Sequence, residues 1–77
     1  MKEMYVRIHS VEEANEFASI CSKLPVDVNL SSGKREVDGK SILGILSLDL
    51  AIPLRMEIIS RENVNLSAFD RFLENVK

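Results

Sequence analysis

The order of apolar and polar positions predicts seven elements. Residues 4–9 alternate, with Met4, Val6 and Ile8 on one side and Tyr5, Arg7 and His9 on the other, the mark of a half-buried strand. Ser10-Val11-Glu12-Glu13 then reads as a capping box that opens a helix over 11–23. Ala14, Phe17, Ala18, Cys21 and Leu24 recur at threes and fours along that helix, with Ile20 at the margin, while Glu12, Glu16, Ser19 and Lys23 are left for water. Pro25 ends it, because the residue before a proline is pushed out of helical conformation. Val26, Val28 and Leu30 predict a second strand, Ser31-Ser32-Gly33-Lys34 a hairpin turn, and Arg35-Glu36-Val37 a short edge strand.

A short apolar helix follows, from Ser41 or Ile42 to about Leu50, and Pro53 marks its exit. Residues 55–60 form a last strand with Met56 and Ile58 on one face. Asn65 then caps a final helix, with Val64 placed to staple onto Phe69 and with Leu66, Phe69, Phe72, Leu73 and Val76 as its buried stripe. The order β-α-β-β-α-β-α calls for an α+β, two-layer, open-faced sandwich: a four-stranded antiparallel sheet with three helices on one face and water on the other.

Length and composition narrow this further. Seventy-seven residues suit one domain, 1–77, with a modest core. The net charge is −2 with the signs mixed, and one Tyr and three Phe give no stacking platform, so nucleic acid is not an expected partner. One cysteine and one histidine exclude an internal disulfide and a cluster of soft metal ligands, so no metal or cofactor is expected. No segment approaches a membrane span and Met1-Lys2-Glu3-Met4 is not a leader, which makes the cytoplasm the expected compartment.

Chemistry concentrates in Gly39-Lys40-Ser41-Ile42-Leu43-Gly44-Ile45-Leu46-Ser47-Leu48. A helix start carries unpaired N–H groups and a positive partial charge, so Ser41 is either a cap, with Asp38 in competition, or a modified residue whose phosphate Lys40 helps to balance. Five apolar positions in so short an element cannot all be buried, and Ile42, Leu43 and Leu46 form a small exposed patch of the kind that marks a contact surface.

Val26-Asp27-Val28-Asn29-Leu30, Gly33-Lys34, Val37 and the stretch from Lys40 to Leu48 resemble, without a gap, the second strand, hairpin and regulatory-serine helix of the HPr family, the small phosphocarrier proteins of the bacterial sugar phosphotransferase system. The register runs on through Met56-Glu57-Ile58 to Ala68-Phe69. In that family a loop of pattern Gly-x-His-x-Arg-Pro accepts a phosphoryl group on the histidine, steadied by the arginine and by a helix N-terminus.

Here the corresponding place reads Arg7-Ile8-His9-Ser10-Val11-Glu12-Glu13. Ungapped extension puts Ser10 at the histidine position, whereas matching His9 needs one extra residue in the first helix. In either register Glu12 and Glu13 stand where a phosphate is received, and two like charges about 4 Å apart at a surface dielectric repel by a few kcal/mol.

The chain resembles the Crh branch of that family, which lacks the histidine and keeps the serine. It implies a regulatory binding module and not an enzyme, with Ser41 phosphorylated by an HPr kinase/phosphorylase and Lys40, Ile42, Leu43 and Leu46 meeting a transcriptional regulator or sugar-system enzymes. The competing reading is a phosphocarrier that uses His9, the one candidate histidine phosphoacceptor. Asp49 and Ile52-Pro53 replace small or cationic residues frequent in the family after this helix, which alters the rim of the patch.

Overall fold

The computed structural model of the chain describes residues 2–60 and 63–74. Strands β1 (Lys2–Val6), β2 (Asp27–Ser32), β3 (Arg35–Asp38) and β4 (Leu54–Ile59) form one sheet in the order β1-β4-β2-β3, every neighbouring pair antiparallel. Helices α1 (Val11–Lys23) and α2 (Ile42–Leu46) and a C-terminal 3₁₀ helix (Ser67–Phe72) complete it. This is the open-faced α+β sandwich expected from the sequence.

Strand alternation builds the two faces. Val6, Val28, Leu30, Leu54, Met56 and Ile58 are buried toward the helices, where Ala14, Phe17, Ala18 and Cys21 of α1, Ile45 of α2, and Phe69 and Phe72 meet them. Among the described residues this core contains no polar or charged side chain. The opposite phase carries ladders such as Glu3, Glu57, Asn29 and Asp38, and Arg55 bridges Glu3 and Glu57 across that face. A sheet with one wet face needs this alternation.

β1 ends at Val6, sooner than the alternation through His9 suggested. Its partner Leu54 is preceded by Pro53, which has no N–H with which to prolong the ladder. Instead the Arg7 N–H donates to the Phe72 carbonyl at 2.8 Å and the Glu74 N–H to the Tyr5 carbonyl at 2.9 Å, with Val6 bridged to Leu73. The outer edge of β1 is thereby covered by the chain's own C-terminal segment, which hides backbone groups that otherwise invite pairing.

The hairpin is tighter than a four-residue turn. Ser32 pairs with Arg35, leaving Gly33-Lys34 as a two-residue loop with Gly33 at φ 60°. Glycine at the first central position matches a type II′ turn, whose twist suits the flanking strands.

The C-terminal element departs most from expectation. Asn65 is not the N-cap: its Oδ1 accepts the Ser67 N–H at 2.9 Å, an Asx turn, and Leu66 occupies the cap position. In a 3₁₀ helix residues three apart eclipse, so Phe69 and Phe72 both reach Phe17, at ring-centroid distances of 5.3 Å. Leu73 leaves the stripe: it is 44% exposed and extended along β1. Val64 and Leu66 are partly buried against the core, and Val76 lies outside the described residues.

Candidate functional site

Two corners carry the residues singled out by the sequence. The first is the start of α1. Ser10, in extended conformation, caps the helix by accepting the Glu13 N–H at 3.1 Å, and its carbonyl accepts the Ala14 N–H at 3.0 Å. The reciprocal arm of the capping box reaches one residue further back than the usual pattern, since Glu13 Oε1 accepts the N–H of His9, not of Ser10, at 3.0 Å. A backbone donor beside the imidazole is thus occupied by the chain's own carboxylate.

His9 is exposed and lines a cavity of about 190 Å³ together with Glu13, Glu16, Arg71 and Phe72. Arg71 is ion-paired with Glu16 of α1, and its guanidinium lies 4.7 Å from the centroid of the Phe72 ring, a cation–π contact. Neither Glu16 nor Arg71 was recognisable as a neighbour of His9 from the sequence. Glu16 reads as a solvent-facing helix position, and Arg71 comes near only because the 3₁₀ helix packs its two phenylalanines on Phe17.

The second corner is the β3-to-α2 connection. The Gly39 N–H donates to the Val28 carbonyl at 2.7 Å, Asp38 Oδ1 accepts the Lys40 N–H at 2.9 Å, and the Asp38 carbonyl accepts the Ser41 N–H at 3.0 Å. Ser41 is the N-cap, its Oγ accepting the Gly44 N–H at 3.0 Å. Asp38 therefore does not compete for that role; it shapes the turn before it.

Helix α2 stops at Leu46 instead of continuing to Leu50. Ser47 Oγ donates to the Gly44 carbonyl at 2.6 Å while its N–H is shared between the Leu43 and Gly44 carbonyls, and Asp49 Oδ1 accepts the Ala51 N–H. Serine and aspartate side chains that bond to nearby backbone in this way divert a chain from helix.

Around Ser41 the expected patch is only partly realised. Leu43 is 82% exposed and Ile42 37%, whereas Leu46 is half-buried and packed on the core. Ile45 faces fully inward, and that sets the phase: Leu43 projects outward, while Leu46 lies at the border. Lys40 is exposed and lines a cleft of about 470 Å³ with Leu24, Pro25, Val26, Asp27, Ile59 and Ser60.

The structure brings Lys40, Ser41, Ile42 and Leu43 together and keeps His9 with a separate set. Among the described residues no group of three or more His, Cys, Asp or Glu side chains could hold a metal ion. No helix among them is long and apolar enough to cross a membrane.

The open-faced sandwich carries a serine-capped helix on one corner and a histidine before the first helix on another, the two places that the HPr resemblance singles out. The comparison with family models agrees: one described as the PTS HPr component phosphorylation site matches residues 9–75, nearly the whole chain. The chain belongs to the HPr family of the sugar phosphotransferase system. Comparisons with curated proteins and with solved structures returned no match.

Proposed function

We propose that this chain is a non-catalytic, regulatory docking module of the HPr family, read by partner proteins through the α2 corner and controlled by phosphorylation of Ser41. The observation that carries this reading is the exposure of Leu43, 82%, two residues after an exposed Ser41 at the mouth of α2. An apolar side chain left this open beside a modifiable hydroxyl gives a partner both an anchor and a charge-sensitive rim. Lys40 and Ile42 extend that contact, and Leu46 supplies its inner edge.

The partners the reading calls for are those of the family: an HPr kinase/phosphorylase, a transcriptional regulator or sugar-system enzymes, acting in the cytoplasm without cofactor or metal. Incubation with ATP and an HPr kinase should place one phosphate on the wild type and none on Ser41→Ala. A wild type that stays unmodified, with Ser41→Asp leaving partner affinity unchanged, reduces Ser41 to a cap and removes the regulatory half of the reading.

A second reading, phosphoryl carriage on His9, is favoured by one observation, the presence of Arg71 on the same cavity. Against it stand Glu13 on the His9 N–H and Glu16 on Arg71. Phosphoenolpyruvate and the first enzyme of the sugar system separate the readings: acid-labile phosphate on His9 selects the carrier.

A further inference from the structure

The sheet has one edge strand that the chain covers and one that it leaves bare. The C-terminal segment lies along β1, whereas β3 has β2 on one side and, among the described residues, no strand on the other. With Gly33-Lys34 as the hairpin loop, Ser32 and Arg35 are the first pair to exchange backbone hydrogen bonds, and such pairs recur at every second residue. Arg35 and Val37 therefore turn their N–H and C=O groups toward β2, while Glu36 and Asp38 turn theirs outward. The Ser41 N–H takes the Asp38 carbonyl. Among the described residues this leaves the N–H and C=O of Glu36 and the N–H of Asp38 open, spaced as an added strand would meet them.

The side chains on this edge decide what can pair there. Glu36 and Asp38 are both exposed and stand on the face away from the helices, opposite Ser31 and Asn29 of β2. Among the described residues neither forms an ion pair. A second copy of the chain, joined antiparallel like every pair in this sheet, must set outward-turned residues opposite one another. It then puts Glu36 against Glu36 or against Asp38, and like charges directly opposite destabilise a strand pair. Self-pairing is thereby opposed. A strand with Lys or Arg at alternate positions meets the reverse situation, because each cation lies opposite a carboxylate. Its intervening side chains fall on the helix-facing side beside half-buried Val37, a position that suits an apolar residue.

We propose that β3 is a docking edge for an extended basic segment of a partner protein, which adds antiparallel to the sheet. Main-chain bonds to Glu36 and Asp38 hold the segment, and the cations opposite their carboxylates select it. The inference involves neither Leu43 nor the hydroxyl of Ser41, so it stands apart from the α2 reading.

The peptide acetyl-Lys-Val-Lys-Val-Lys-amide, titrated into the ¹⁵N-labelled chain, tests this. When its lysines lie opposite Glu36 and Asp38, their backbone N–H groups face the edge and those of the valines face away. The amide signals of Glu36 and Asp38 should shift during the titration and exchange more slowly with solvent at saturation. Methylating the lysine backbone nitrogens should abolish these changes, whereas methylating the valine nitrogens should leave them. Glu36→Gln should weaken binding about two- to fivefold, the effect of one exposed cross-strand charge pair, and high salt should narrow that gap. Glu36→Pro should bind no peptide. Proline is tolerated on an edge strand where the N–H faces solvent, so this variant removes a donor and keeps the sheet.

The proposal is overturned if the lysine-methylated peptide or acetyl-Glu-Val-Glu-Val-Glu-amide binds as well as the parent peptide, if folded Glu36→Pro binds as the wild type does, or if the peptide shifts no amide of β3. The two methylated peptides decide the matter whether or not Glu36→Pro folds. Shifts of the Glu36 and Asp38 amides with protein concentration alone overturn it equally, since the occupant of the edge is then a second copy. None of these results bears on Ser41 or Leu43, so failure here is distinguishable from failure of the α2 reading.

Discussion

At Gly39 the chain leaves β3 with no room for a side chain. A β-carbon there would lie 2.8 Å from Val28 Cγ1, 3.0 Å from Val28 Cβ and 3.2 Å from Cys21 Sγ, all in the core. Gly39→Ala should cost about 1–3 kcal/mol in urea unfolding, the range for overpacking a filled interior. Gly33 fails differently. Nothing lies within 4 Å of the added carbon, but φ is +60°, so Gly33→Ala is a backbone penalty of about 1 kcal/mol with no packing component.

Cys21, the neighbour of Gly39, is buried, and that burial, with the charge of Asp38 added, pushes its thiol from 9.0 up to about 12. A folded-state value above the unfolded one means that the native state holds the proton longer. The stability involved is fully present below pH 9 and is lost as the solution passes from about 9 to 12. At pH 8 a thiol reagent should label Cys21 only after urea is added; prompt labelling of the folded chain would contradict this burial. The role of Gly39 was invisible in the sequence because its contacts are made with residues of α1 and β2, whereas the apolar phase of Cys21 was plain from helical spacing.

At the scale of elements, the caps account for what was legible. α1 runs from Val11 to Lys23 as expected because its signals are all local: Ser10 before it, the apolar stripe along it and Pro25 after it. Replacing the cap by Ser10→Ala or Ser41→Ala should lower stability by about 1 kcal/mol each, measured by urea midpoint, while Ser41→Asp, which can still accept the Gly44 N–H, should lose less. That difference matters for function, since an affinity change in Ser41→Asp then reports charge and not a frayed helix. The C-terminal end of α2 and the 3₁₀ form of the last helix were not legible. Ser47 and Asp49 end α2 by side-chain bonds that no periodicity displays, and the last element is tightened by the packing of Phe69 and Phe72 on Phe17.

Between strands, Arg55 donates to Glu3 and holds its carboxyl below the usual carboxylate range. A lowered folded-state value gives stability that is present above the unfolded carboxylate value and lost as pH falls through the folded one. Glu3→Gln should flatten the acid limb of the stability profile slightly, and salt should erase the difference because both groups are exposed.

For the whole molecule, the separation of core from surface decides what a mutation can report. The layered architecture was legible, though not the strand order, because strand alternation and helix periodicity each leave a single apolar side, and one sheet with helices on one face buries them all. The placing of His9 and Arg71 on one cavity was not, because it arises from the C-terminal segment folding back along β1. The same separation gives a paired prediction. Phe69 is fully buried against Phe17, and Phe69→Ala should remove about 3–5 kcal/mol from a total of roughly 5–15 kcal/mol, leaving a chain that unfolds at low urea. Leu43→Glu changes a side chain that is 82% exposed, and its urea midpoint should stay within about 0.5 kcal/mol of wild type. Partner binding should behave in the opposite way. Leu43→Glu puts a charge into the centre of the proposed contact and should abolish capture by a kinase or regulator, while any Phe69→Ala molecules that remain folded keep the α2 corner and should bind with unchanged affinity. If Leu43→Glu binds as the wild type does, the α2 corner is not the docking surface, and the exposed leucine is only what remains of a helix too short to bury both of its sides.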